Sequence, residues 1–141
     1  MKIGFTGTRK GMTFEQKKQL VKYLLTVSKH DKEFHHGDCI GADAEAHRIA
    51  VQCGFSIYKH PPEDDSYRAY CFLGDEYEPK EYLARNKDIV NTTDVLIATP
   101  KSNKEEIRSG TWSTVRYAEK NNKEVIIISP DGSSDSFVRM N

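Results

Sequence analysis

Three turns built of small residues, each leading into a stretch with helical spacing, constrain this chain more than any other feature. They are Thr6-Gly7-Thr8-Arg9-Lys10-Gly11, His36-Gly37-Asp38-Cys39-Ile40-Gly41 and Arg108-Ser109-Gly110-Thr111. Extended apolar runs precede them, and the alternation of strand and helix with short links is the signature of a parallel sheet covered on both faces.

The chain reads in order as follows. Lys2 to Thr6 is a strand, and Thr13 with Gln16 three residues on forms a capping box. A helix then runs from Phe14 to Ser28 with the stripe Leu20, Val21, Leu24 and Leu25. Glu33 to His35 is extended, and Ala42, Ala44, Ala46, Ile49, Ala50 and Cys53 recur at helical spacing until Gly54 stops them. Phe55 to Lys59 is a third strand, Glu81 to Asn91 a helix, and Val95 to Ala98 a continuously apolar strand that belongs at the sheet centre. Trp112 to Lys120 is the last helix and Val125 to Ile128 the last strand, closed by Pro130-Asp131-Gly132. The expected architecture is an α/β three-layer sandwich with a mainly parallel five-stranded sheet, a domain over 1–132 and a polar tail over 133–141. With the strand from Lys2, that from Glu33 and that from Val95 side by side, all three turns meet at the carboxyl edge, where open α/β sheets bind ligands.

Acidic and basic residues balance at 21 each in 141 residues, which argues against double-stranded nucleic acid as a partner. Cys39, Cys53 and Cys71 show neither paired nor metal-finger spacing and read as free thiols of a reducing compartment. The N-terminus lacks a signal-peptide core and no run reaches membrane-spanning length, so a cytoplasmic protein with no membrane partner is expected. From His60 to Glu78 the periodicity breaks. This segment and its flank carry Tyr67, Tyr70, Phe72, Tyr77 and Tyr82, which either pack on the core or offer one or two rings to a ligand base.

The turns carry the chemistry. Gly7, Gly37 and Gly41 leave backbone N–H groups uncovered, the latter two at the positive end of a helix, a setting for a phosphate or a ribose edge, or simply a tight turn. Thr8 and Arg9 suit phosphate or sugar oxygens, as do Ser109, Gly110 and Thr111. Asp38 is expected at the mouth of the pocket, whereas Asp43 reads as a helix cap and Glu45 as solvated. His35 and His36 point to opposite faces of their strand, so no metal site is expected and they read as satisfied histidines. Trp112 is a core anchor or a wall against the ligand.

Gly4-Phe5-Thr6-Gly7-Thr8-Arg9, His36-Gly37-Asp38-Cys39-Ile40-Gly41-Ala42-Asp43, Arg85-Asn86-Lys87, Asp94-Val95-Leu96-Ile97-Ala98 and Ser109-Gly110-Thr111 together resemble the SLOG superfamily. That group joins the DNA-processing Smf proteins with the Lonely-Guy phosphoribohydrolases. The chain looks most like its small single-domain YspA or YpsA-related branch of bacteria and phages, over Lys2 to about Pro130. The resemblance implies a Rossmann-like fold, nucleotides or their derivatives at the glycine turns, no resident cofactor, and self-association. Arg85 matches the Lonely-Guy arginine, because Asp94 and Pro100 follow at the corresponding distances, and Gly110-Thr111 match the last turn. Thr114 stands where those enzymes have a glutamate.

Cleavage of an N-glycosidic bond needs a carboxylate, which threonine cannot replace. The leading expectation is therefore a module that senses or sequesters a nucleotide-derived ligand, with Arg85 on phosphate or base. The alternative is a nucleoside 5′-monophosphate N-glycosidase using Asp38 and Arg85. A third reading is Smf-like handling of single-stranded DNA.

Overall fold

The computed structural model describes residues 1–28 and 30–137. Along the chain lie β1 (Lys2–Gly7), α1 (Phe14–Leu25), β2 (Glu33–His36), α2 (Ala42–Gln52), β3 (Ser56–Lys59), β4 (Asp75–Glu76), α3 (Tyr82–Thr92), β5 (Val95–Thr99), α4 (Gly110–Lys120), β6 (Glu124–Ile128) and β7 (Ser134–Phe137). They form one sheet in the order β4-β3-β2-β1-β5-β6-β7, parallel except for the antiparallel β6–β7 pair. Gly4 faces His35 of β2 on one side and Leu96 of β5 on the other, so winding reverses beside β1. No helix among the described residues is long and apolar enough to cross a membrane.

The period of two in the strands divides the core. On one face, Leu20 and Leu24 of α1 and Ala42, Ala46 and Ala50 of α2 cover Ile3, Phe5, Phe34, Ile57 and Ile97. On the other, Ile89 and Val90 of α3 and Trp112, Val115 and Ala118 of α4 cover Leu96, Ala98 and Val125. All of β5 is buried, as its unbroken apolar run requires. Trp112 is a core anchor, 7% exposed.

Seven strands replace the expected five, because β4 and β7 add at the edges. β4 is a pair of exposed acidic residues, and β7 lies within the segment read as a tail. Both owe their extended form to backbone pairing with a neighbouring edge, which leaves no apolar alternation to read.

The Thr13 capping box forms as expected, with Thr13 Oγ1 accepting from Gln16 N at 3.0 Å and Gln16 Oε1 accepting from Thr13 N at 2.9 Å. The same buried Gln16 donates Nε2 to the carbonyls of Pro100 and Ile128 at 2.8 and 2.9 Å. One side chain thus starts α1 and ties it to the carboxyl ends of β5 and β6. The helix stops at Leu25, short of Ser28, and Leu25 is exposed, so its buried stripe is narrower than its apolar one.

Candidate functional site

Adjacency of β2, β1 and β5 brings the first two turns together at the carboxyl edge. Thr8 N donates to Thr99 O at 3.1 Å, and Ala42 N donates to Thr8 O at 3.0 Å. Glycine is required where the turns touch. Gly41 has φ +87°, and a Cβ there would strike the Arg9 carbonyl, while a Cβ on Gly7 would strike Thr99 and Ala42. The start of α4 completes the edge, with Ser109 Oγ accepting from Trp112 N at 3.3 Å.

Between these turns lies a two-lobed groove. The larger lobe, about 750 Å³, has Tyr67, Tyr82, Leu83 and Ile107 among its walls. The smaller, about 360 Å³, is lined by Gly7, Thr8, Lys10, Lys101 and Thr111, and both lobes share Arg9, Tyr82, Arg108, Ser109 and Gly110. Arg9, Lys10 and Arg108 have no ion-pair partner among the described residues, and Lys101 stands 3.8 Å from Glu106. Arg9 instead lies 4.0 Å over the Tyr67 ring, with its charge at the junction of the lobes. The smaller lobe thus gathers these cations and the start of α4, which carries a partial positive charge, beside Glu106, and the larger sets its apolar and aromatic side chains beside Glu63, Asp64 and Glu81.

Asp38 is not at the pocket mouth. It is fully buried with φ +56°, Oδ2 accepting from Arg68 Nε at 2.8 Å and Oδ1 from Cys71 N at 2.9 Å. Burial pushes its pKa up, but hydrogen bonds from Cys71 and Arg68 outweigh that and hold it below the usual carboxylate range. Its role is to fasten the 60–78 excursion to the second turn, helped by Ala69 N to Asp38 O at 2.8 Å and Ile40 N to Tyr67 O at 2.9 Å.

Arg85 is also placed differently from the expectation, because the chain itself takes most of its donors. The guanidinium is 3% exposed and gives Nη1 to the Gly37 and His60 carbonyls at 2.6 and 3.0 Å. Nε goes to Asn86 Oδ1 at 2.7 Å and Nη2 to Cys39 Sγ at 3.8 Å. It lines neither lobe and braces the second turn against α3, with Tyr82 stacked 4.8 Å away.

Asp43 closes the turn rather than capping α2. Its Oδ2 accepts from Gly37 N at 3.1 Å and Cys39 N at 3.3 Å. Burial raises its pKa to about 6 against the pull of Arg85 and these two N–H groups. Glu45 is not merely solvated, since it accepts from Met12 N at 2.6 Å and pairs with Lys17 at 3.1 Å.

The adjacent histidines do face opposite sides. His35 meets His60 at 2.8 Å and Glu33 at 2.9 Å, and His36 Nε2 meets His47 Nδ1 at 2.9 Å. Because Asp38 N donates to His36 Nδ1, the His36 proton sits on Nε2 and is donated to His47, whose own Nε2 donates to the Phe72 carbonyl. Burial lowers His36 and His60 to about 3, so both are neutral. Ligand atoms of His36, His47 and Cys71 lie within 4.8 Å of one another. Metal binding needs free lone pairs and a thiolate, whereas these lone pairs are already used and burial pushes Cys71 up to about 12.

No family model and no curated protein matches this sequence. Solved structures match its fold. A molybdenum cofactor binding protein from the phototrophic bacterium Rippkaea orientalis superposes with TM-score 0.69 at 22% identity, over 91% of this chain and 76% of that one. The molybdenum cofactor carrier protein of Chlamydomonas reinhardtii gives 0.62 at 19% identity, over 89% and 74%. DNA processing protein A from Streptococcus pneumoniae gives 0.66 at 20% identity, over 89% of this chain but 49% of that one.

These likenesses show the fold, a Rossmann-like α/β sandwich. Its Rossmann-like, mostly parallel sheet is the one the SLOG resemblance implied. Thr114, which the resemblance set against a glutamate, is 2% exposed and donates to the Gly110 carbonyl at 2.8 Å. Sequence reasoning did not single out Lys10 and Lys101, which line the smaller lobe. It left Tyr82 as one of five rings that pack on the core or face a ligand; the ring lines both lobes, three residues before Arg85 and on the same helix face.

Proposed function

We propose that this protein binds a nucleotide or nucleotide-derived small molecule, with phosphate in the cationic lobe and base in the aromatic lobe, as a sensing or sequestering module. The observation that carries this reading is one groove whose lobes share Arg9, Arg108 and Tyr82, with Lys10 and Lys101 added on one side of these and Tyr67, Leu83 and Ile107 on the other. A lobe of about 750 Å³ is of the size that holds small ligands. Thr8, Arg9, Ser109, Gly110 and Thr111 hold the anion, and Gly7, Gly37 and Gly41 set the turns. The molybdenum cofactor proteins that share the fold add a second candidate ligand to be tested beside nucleotides.

Two observations favour binding over hydrolysis. Thr114 replaces the glutamate, and the Asp38 carboxylate is committed to Arg68 and Cys71. Calorimetry across nucleoside monophosphates, dinucleotides, cyclic nucleotides and molybdenum cofactor tests the reading. At least one should bind, with affinity falling as salt rises, and absence of heat across the panel would reject it.

Handling of single-stranded DNA is the second reading, favoured by the exposed rings of Tyr67, Tyr70 and Phe72 on one segment. It requires oligodeoxythymidylate binding with a steep salt dependence; weak, salt-insensitive association dismisses it.

A further inference from the structure

Beneath the junction of the two lobes is a pit of about 20 Å³ that neither the base nor the phosphate can enter. It shares Arg9 and Tyr82 with both lobes, Cys39 with the aromatic lobe and Gly7 with the cationic lobe. The pit therefore lies where a ligand running from one lobe to the other carries its linking group. Its volume admits a single oxygen atom.

The pit wall is chemically particular. Asp43, 6% exposed, uses only Oδ2 for the Gly37 and Cys39 N–H groups, and its Oδ1 has no hydrogen-bond partner among the described residues. Arg85, also on the wall, commits four of its five N–H groups to Asn86, Gly37, His60 and Cys39, which leaves one on Nη2. Beside Arg9, Asn86 and Tyr82, the pit thus sets one carboxylate acceptor of Asp43 against one guanidinium donor of Arg85. A phosphate or carboxylate oxygen would meet the Asp43 carboxylate, and an ammonium would meet the Arg85 guanidinium. A hydroxyl satisfies both, donating to Asp43 and accepting from Arg85.

We infer that this pit is a hydroxyl subsite that takes one sugar hydroxyl of the ligand, so that the groove selects ribonucleotides over deoxyribonucleotides. The inference rests on the two-lobed groove as the ligand site and names the sugar class that it accepts. Asp43 is the discriminating residue, because a deoxy ligand would cover this carboxylate oxygen without offering it a proton to accept.

The test titrates the protein with the adenosine, guanosine, cytidine and uridine 5′-monophosphates and with the 2′-deoxy and 3′-deoxy form of each. The ribonucleotide should bind about 10- to 100-fold more tightly than one of its two deoxy forms, as expected for a hydrogen bond to a buried charge. Asp43→Asn keeps an oxygen for Gly37 and Cys39 but offers the pit an NH2, and it should bring that ratio close to one. If a ribonucleotide and both its deoxy forms bind equally, the hydroxyl subsite is wrong and the groove reading stands. If no member of the series binds while another ligand of the wider panel does, the ribonucleotide subsite is wrong and the groove reading stands; if nothing in that panel binds, both fail.

Discussion

Acid should weaken this fold through two buried histidines, His36 and His60, of which His36 is the more enclosed. The imidazole is fully buried between β2 and α2, facing His47, His60, Lys59 and Asp38, and burial lowers its pKa from 6.5 to about 3, with the positive neighbours adding to the effect. The folded value lies below the unfolded one, so protons favour the unfolded chain between these limits and stability falls as pH falls through that window. Linkage from pH 7 to 4.5 gives a loss of roughly 2.5 kcal/mol from this group alone. His60, lowered to about 3 by burial and by His35, adds a loss of the same order. Asp43 acts oppositely, because its pKa is raised from 3.8 to about 6, and returns roughly 2 kcal/mol over the same interval. The sum over these three groups, a loss of roughly 3 kcal/mol, is a large part of the 5–15 kcal/mol of an ordinary domain. Urea unfolding followed by fluorescence of the single, buried Trp112 reads it at both pH values. In His36→Gln the change between pH 7 and 4.5 should be smaller by roughly 2.5 kcal/mol, whatever the variant's stability at pH 7. An unchanged difference, or a His36 ring resonance that titrates near pH 6.5, would refute the reasoning.

Three further outcomes follow from the same contacts. Asp43→Asn should raise stability at pH 7 by up to about 3 kcal/mol and lose that advantage by pH 4, since the carboxylate's cost grows only as pH rises from 3.8 through 6; paired thermal melts at the two pH values check it. Arg68→Ala strands the fully buried Asp38 charge, which should cost about 3–5 kcal/mol and expose the 60–78 segment to limited proteolysis while the rest resists. Gly41→Ala forces a side chain onto φ +87° and against the Arg9 carbonyl, so a loss of at least about 1–3 kcal/mol is expected in denaturant unfolding, together with weaker anion binding through displaced Arg9.

The sheet was legible because its central strands are buried on both faces, as in Val95–Thr99, and its helices begin with readable caps such as Thr13 and Gln16. The two edge strands were not, since Asp75–Glu76 and Ser134–Phe137 are short, polar in sequence and seen only through their backbone pairing with a neighbour. At the site, the meeting of the turns followed from adjacency of β2, β1 and β5. What a sequence spacing does not reveal is where a charge finds its partner. Asp38 and Arg85 carry the right chemistry for a ligand, yet Arg68, thirty residues from Asp38, and the Gly37 carbonyl, forty-eight from Arg85, claim them first. Arg9 and Arg108 form no ion pair among the described residues, although Glu81 and Glu106 line the same groove, and under the proposed function they are the cations open to a ligand.

The most direct test of the groove is to incubate the purified protein with a mixture of nucleotides and related metabolites, then analyse the retained fraction and the supernatant by mass spectrometry. An intact nucleotide or nucleotide-derived molecule retained by the wild type, and lost in a variant with Arg9 and Arg108 both changed to Ala, is the predicted result. Free base with ribose phosphate accumulating in the supernatant, or no molecule retained at all, would contradict a binding module at this edge of the sheet.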